Sequence, residues 1–166
     1  MIKGMYPDTS NWSDDETTRL HTLLSGRTTV CHRGSVFGRG GKHQHLYAWA
    51  KEAGLVVDCV RRGGRATKWA NPFPMAGEGD RDRVCDAFSD YVNSQPDIIA
   101  ETPSLKGKLL ACYCSPLRCH CDVLAELANS HPPIAQNRPP ACSASPSRVI
   151  GHPATPPRLN RLRVGM

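Results

Sequence analysis

The chain has 166 residues, 39% of them hydrophobic, and a formal net charge of +6, enough for one ordinary domain with a real core. No run approaches the ~20 apolar residues of a membrane-spanning helix, and the opening "MIKGMYPDTSNWSDDETT" lacks the apolar centre of a secretory leader. A reducing compartment, the cytoplasm, is therefore expected, where eight cysteines are poor disulfide candidates.

The first element is a helix opened by the capping box Ser13-Asp14-Asp15-Glu16, in which hydroxyl and carboxylate satisfy free backbone donors. Leu20, Leu23 and Leu24 make its apolar face, and Gly26 stops it in the left-handed conformation. "TTVC" (28–31) is a short β-rich run. The loop after it, "GSVFGRGGKH", suggests a phosphate cradle but fails both standard patterns. A Walker loop needs glycine where Val36 stands and Ser or Thr where His43 stands, and the dinucleotide pattern needs its third glycine at His43. The glycines read as loop flexibility, and His43 and His45 as polar residues at a helix start. "HQHLYAWAKEAG" is that helix, with Leu46, Trp49, Ala50 and Ala53 at helical spacing and Gly54 ending it. "LVVDCV" (55–60) is a compact β-branched strand.

"RRGGRATKWANPF" follows. Arg61, Arg62, Arg65 and Lys68 suit phosphate or carboxylate, and Trp69 offers a stacking face, with Phe73 as a second aromatic. Asn71 precedes Pro72, which bars it from the helical region and fixes its amide as a hydrogen-bonding group. A basic surface loop anchored by two aromatics reads equally well. Asp80 then caps a helix whose Val84, Cys85, Phe88 and Tyr91 share a face. "KLLAC" (108–112) is the third strand, and "CDVLAELAN" (121–129) the last helix, facing inward with Val123, Leu124 and Leu127.

A helix followed by three strand–helix units predicts an α/β fold, a small Rossmann-like parallel sheet of about three strands with flanking helices. Sites in such sheets gather beyond the carboxyl ends of the strands, which is where the unusual stretches fall. The densest is "CYCSPLRCHC". Cys112, Cys114, Cys119 and His120 carry thiolate and imidazole, the commonest donors for structural zinc. The spacing is not the usual two-residue knuckle, and adjacent Cys119 and His120 need an irregular turn to share an ion. A reactive thiol is the rival, because a cysteine at a helix N-terminus is acidified by free amides and the positive dipole end. Cys119 is then the nucleophile, with His120 or His32 as its partner. Buried inert thiols are the third reading. The segment from Ser130 to Met166 holds five arginines, eight of the fourteen prolines and no Asp or Glu, which leaves +1 for the rest of the chain. Such a composition predicts a domain over 1–130 and a disordered basic tail over 131–166, either a solvated terminus or a salt-sensitive arm on nucleic acid.

"VVDCVRRGGRATKWANPF", "GEGDRDRVCDAF" and "LKGKLLACYCSPLRCHCDVLAELAN" together resemble the family called domain of unknown function 4326, over about residues 55–129. The resemblance implies a small bacterial or phage-borne protein and marks Trp69, Asn71, Pro72, Phe73, Gly107, Cys112, Cys114, Cys119, His120 and Asp122. Ala70 and Cys121 stand where that family has glycine; a Cβ at 121 crowds a close approach, or Cys121 is itself a ligand. The family name implies no settled reaction. The expected protein is phage-encoded and handles a nucleotide, a modified base or nucleic acid. Trp69 stacks the base, Lys68 with Arg61 or Arg62 holds phosphate, and the cluster supplies zinc or a thiolate, with Cys119, His120 and Asn71 as candidate catalytic groups. The alternative is a non-enzymatic zinc-stabilised module that binds nucleic acid or a host protein; neither reading involves a membrane.

Overall fold

The computed structural model of the protein describes residues 6–34, 41–62 and 65–130. The glycine-rich stretch 35–40, the side chains of Arg61, Arg62 and Arg65, and the basic tail 131–166 lie outside the described set.

In chain order the elements are α1 (Asp14–Leu24), β1 (Thr29–His32), α2 (Gln44–Glu52), β2 (Val56–Asp58), a hairpin of β3 (Arg61–Arg62) and β4 (Arg65–Ala66), α3 (Arg81–Asn93), α4 (Pro96–Glu101), β5 (Leu109–Cys112) and α5 (His120–Ser130). The three longer strands form a parallel sheet in the order β1-β5-β2. Val30 pairs with Leu110 and Leu110 with Val57. The last of these three strands in sequence is therefore the central one, buried along its whole length. The fold is the α/β class the pattern predicts. Among the described residues no helix is long and apolar enough to cross a membrane.

The local signals explain most elements. The capping box at Ser13 and Glu16 forms in full, and Glu16 does more than cap its own helix. Its Oε2 accepts from Ser13 N–H, while Oε1 accepts from His45 N–H at 2.8 Å and Leu46 N–H at 3.2 Å. One buried carboxylate thus satisfies free donors at the start of both α1 and α2. Gly26 adopts φ +78° as its stop role requires, and Gly107, at φ +68°, turns the chain into β5.

Three local expectations are corrected. Leu24 is exposed, because the buried stripe of α1 runs Glu16, Leu20, Leu23. Asp80 precedes α3 but makes no capping hydrogen bond; its carboxylate is taken by Ala76 N–H and Arg83. The run 55–60 is not one strand: pairing passes from β2 through Cys59 N–H to Ala111 O, and the chain then turns into the β3–β4 hairpin. The helix α4, begun by Pro96 in its first turn, is an element the periodicity did not reveal.

Alternation along β5 divides the core. Leu109 and Ala111 pack on one face with Leu20, Leu23, Cys31, Leu46 and Ala50. Leu110 and Cys112 pack on the other with Val30, Phe88, Val92, Leu124 and Ala128. The pleat therefore aims Cys112 at the face covered by α3 and α5. Asn129 fastens the far end: its Oδ1 accepts from Thr28 N–H and its Nδ2 donates to Thr28 O, both at 2.9 Å.

Candidate metal centre and adjoining cleft

Cys112 ends the central strand, Cys119 immediately precedes α5, and His120 and Cys121 open that helix. The non-helical residue at 119 is what lets neighbours 119 and 120 converge. Two bonds hold it there: Cys119 N–H donates to Asp122 Oδ2 at 2.8 Å, and Cys121 N–H donates to Cys119 Sγ at 3.3 Å. The sulfur thus serves as the N-cap acceptor, a role normally filled by oxygen.

Cys112, Cys119, His120 and Cys121 each offer a donor atom, and all four donors lie within 4.8 Å of one another. Their exposures are 3%, 2%, 6% and 0%. His120 Nε2 lies 3.0 Å from Cys59 O, so Nε2–H donates to that carbonyl. Nδ1 is turned toward Cys112 Sγ at 3.9 Å and Cys119 Sγ at 3.8 Å. A backbone carbonyl on the second ring nitrogen is the usual support of a metal-bound histidine. Tetrahedral zinc with Zn–S of ~2.3 Å and Zn–N of ~2.0 Å places N and S donors roughly 3.5 Å apart, so these three groups need only a small contraction. Cys121, inside α5, lies with its Sγ 3.5 Å from Nε2 and is the fourth of the convergent donors.

Electrostatics points the same way. The Cys112 thiol is driven far below its ordinary value by hydrogen bonds with Cys114, Cys119 and Cys121. Cys119 is drawn down to about 6: its bond with Cys112 opposes this, and those with Cys114, Cys121 and His120 drive it. Burial works against the charged imidazole, yet Cys112 and Cys119 raise His120 to about 10. Burial pushes the Cys121 thiol well up. Two thiolates thus hold a proton on the imidazole. The same residues would hold a soft dication in place of that proton. The donor set fits zinc.

Cys114 is not among the four convergent donors. It follows β5 rather than continuing it, so the strand alternation that aims Cys112 does not extend to it. Cys114 still interacts with Cys112 and Cys119 and is half-buried. Three of the four donors expected from the sequence, Cys112, Cys119 and His120, are in this set, and Cys121 is its fourth member; Cys114 lies with the first three on the wall of the adjoining cleft. The spacing signal for Cys121 was present: residues 119–121 straddle a helix start, where consecutive donors can turn inward.

A cleft of about 290 Å³ opens beside the cluster. Cys112, Cys114, Cys119 and His120 form one wall, and Asn71 and Phe73 contribute to another. The basic-loop motif and the cysteine motif therefore meet, as the strand-end placement predicts, but with altered roles. Trp69 is only 6% exposed and belongs to the core; it is not on the cleft wall, so its stacking role is corrected to that of a core anchor. Lys68 is exposed, pairs with Glu101 and lies over the Trp69 ring at 4.9 Å, away from the cleft lining. Asn71 is committed to the backbone: its Oδ1 accepts from Phe73 N–H at 2.8 Å and its Nδ2 donates to Val84 O at 3.5 Å. It shapes the loop and presents Phe73, whose ring meets Tyr91 edge-on. Arg61 and Arg62 are outside the described side chains.

Two arginines on the wall, Arg81 and Arg118, were not expected. Arg81 pairs with Glu78 and interacts with Cys114, and Arg118 pairs with Asp82 and Asp86. Nothing in the helical pattern of "GDRDRVCDAF" separates Arg81 from Arg83. Tyr113 also borders the cleft. Arg33, just past β1, donates to its hydroxyl at 2.6 Å and to Asp58 Oδ1 at 2.7 Å, tying together the carboxyl ends of all three strands. On the far side of the sheet, His43 is buried, its Nδ1 accepting from His32 N–H and its Nε2 donating to Asp15. It is a structural residue joining α1, β1 and α2, and burial lowers its basicity.

The chain is similar to the uncharacterized protein R718 of Acanthamoeba polyphaga mimivirus, 35% identical over 48 residues, which is 29% of this chain and 36% of that protein. The chain thus spans little more than a third of that relative's length. No solved structure matches. The family model described as domain of unknown function (DUF4326) matches residues 45–130, a span that holds the sheet's central and second strands, the cleft and all four convergent donors, and the chain belongs to that family.

Proposed function

We propose that the protein is a metal-stabilised binding module: Cys112, Cys119, His120 and Cys121 hold one zinc ion that fastens β5 to α5, and the cleft beside it takes a nucleotide or an exposed base of a nucleic acid. The observation that carries the reading is that residues of three of the four donors also form the cleft wall, so metal and ligand sites are one structure. Four protein donors fill a tetrahedron and leave no position for an attacking water, which favours a structural over a catalytic ion. Cys119 is buried and Asn71 is held by backbone groups, which speaks against both as catalytic groups.

For the ligand, Phe73 replaces Trp69 as the aromatic surface, and Arg81 and Arg118 replace Lys68 as the cations. Their pairs with exposed carboxylates are worth at most about 1 kcal/mol each, so a phosphate can exchange for them. The basic tail would add salt-sensitive phosphate contacts. A phage or viral origin and a cytoplasmic setting belong to the same proposal, supported by the viral relative.

Metal analysis of protein purified without chelator, followed by calorimetric titration with mononucleotides and a short single-stranded oligonucleotide, tests it. Near-stoichiometric zinc is expected, with binding that weakens on Phe73→Ala and on Arg118→Ala. Fewer than about one zinc in ten chains, far below the occupancy of a structural site, refutes the metal; unchanged affinity in both variants refutes the ligand site.

A further inference from the structure

Two uncharged polar groups of the cleft wall are committed within the protein. Asn71 is bound through both Oδ1 and Nδ2. His120 Nε2 donates to Cys59 O while Nδ1 faces the donor sulfurs. Tyr113, by contrast, keeps a hydrogen to give. It is partly buried and borders the cleft, and its oxygen lies 2.6 Å from Arg33 Nη1. A guanidinium can only donate, so the oxygen accepts, and the hydroxyl's own hydrogen must go elsewhere. Among the described residues nothing accepts it. Strand register builds this arrangement. His32 pairs with Cys112 and Asp58 with Ala111, and Arg33 N–H donates to Cys112 O, which brings Arg33 and Asp58 to the strand ends beside Tyr113. Arg33 Nε donates to Asp58 Oδ1 at 2.7 Å and Nη2 to Oδ2 at 3.4 Å. A two-pronged pair of this kind fixes the plane of the guanidinium, and with it the direction left open to the Tyr113 hydrogen. The Arg33 side chain is 12% exposed, so water competes little for these bonds. The arginines of the wall belong to another side: Arg81 opens α3, and Arg118 is bound to Asp82 and Asp86 of the same helix. The cleft thus has cations along α3 and a neutral, aimed donor at the strand ends.

We propose, resting on the ligand reading above, that Tyr113 is the specificity-determining donor of the cleft. Its hydroxyl donates to an uncharged acceptor on the base of the nucleotide, a carbonyl oxygen or a ring nitrogen, while the phosphate stays with Arg81 and Arg118. Arg33, held by Asp58, is a positioning residue that acts through Tyr113. A site with a fixed hydrogen-bonding group rejects a ligand that lacks the matching atom, because the buried group is then left unpaired. The base is therefore read at the strand ends and the phosphate along α3. Inorganic phosphate alone makes no use of Tyr113. Because Arg33 works only by aiming that hydroxyl, removing both residues costs no more binding than removing Tyr113 alone.

The test titrates the full-length chain and its variants Tyr113→Phe, Arg33→Met and the two combined with uridine monophosphate, adenosine monophosphate and inorganic phosphate, in a calorimeter. Tyr113→Phe keeps the ring and removes the hydroxyl. Affinity for the tighter of the two nucleotides should fall about five- to tenfold, the worth of one hydrogen bond, and affinity for inorganic phosphate should not change. The combined variant should bind as Tyr113→Phe does. Tyrosine labelled with carbon-13 at Cζ supplies a readout that a packing role leaves still. The signal that Tyr113→Phe deletes should shift when nucleotide is added to the native chain, stay put with inorganic phosphate, and lose its nucleotide shift in Arg33→Met. Equal nucleotide affinity in native and Tyr113→Phe chains, an equal fall for inorganic phosphate, or a Tyr113 signal indifferent to nucleotide each overturns the proposal. Should Tyr113→Phe fail to fold, the labelled native chain, with the signal assigned through Arg33→Met, decides alone. A native chain that binds neither nucleotide sinks the ligand reading itself, and that result is visible before any variant is made.

Discussion

Replacing Cys112 with Ser separates a metal centre from a set of buried thiols. Cys112 is almost fully buried at the end of the central strand and touches the other donors. If the site holds zinc, the hydroxyl cannot replace the thiolate and the ion is lost. A ligand that binds only the folded state stabilises it by about 4.1 kcal/mol at a free concentration a thousandfold above Kd. For a domain of this size each kcal/mol moves Tm by roughly 4 °C, so Cys112→Ser should lower Tm by about 16 °C. If the site holds no ion, the substitution only exchanges a buried thiol for a hydroxyl with poor partners, at a cost of about 1–3 kcal/mol. Calorimetry with and without chelator distinguishes the cases. Chelator should bring the native protein down to near the variant's Tm and leave the variant unmoved. A native protein indifferent to chelator, with a variant lowered by only the hydroxyl cost, would falsify the metal centre.

Trp69→Ala should destabilise the fold by about 3–5 kcal/mol, as for other buried aromatics, read by urea denaturation; a loss under ~1 kcal/mol would return Trp69 to the surface role expected from the sequence. Asn129→Ala removes both bonds to Thr28 and should cost about 2 kcal/mol, with faster amide exchange at Thr28 as the local signature. Glu16→Gln should cost about 2–4 kcal/mol, because one amide cannot accept from Ser13, His45 and Leu46 as the carboxylate does. Against burial, those backbone donors hold the Glu16 carboxyl below its ordinary value of 4.5. Its contribution should therefore be complete above that value and be lost as pH falls through the lower folded-state value. Denaturation midpoints of native and variant measured from neutral to acid pH should converge; a gap that widens on acidification contradicts the role.

Local rules in the sequence determined the element types. The capping box at Ser13 and Glu16, the left-handed stop at Gly26 and the β-branched run after Gly54 each act within a few residues, so they are readable without the fold. So was the gathering of the site at the strand ends, since three strand–helix units leave a parallel sheet little other choice. Three of the four convergent donors, Cys112, Cys119 and His120, were legible as a cluster. That Cys121 joins them depends on where α5 begins, and a boundary shift of a single residue changes the direction of a side chain. Trp69 and Phe73 show the same limit. Both are large aromatics in one basic loop, and only the packing of α3 and α5 decided that Trp69 is buried while Phe73 lines the cleft. Arg81, Arg118 and the second cap made by Glu16 were illegible for a related reason: each acts on a segment at least 29 residues away in sequence, and such pairings exist only once the helices have been laid against the sheet.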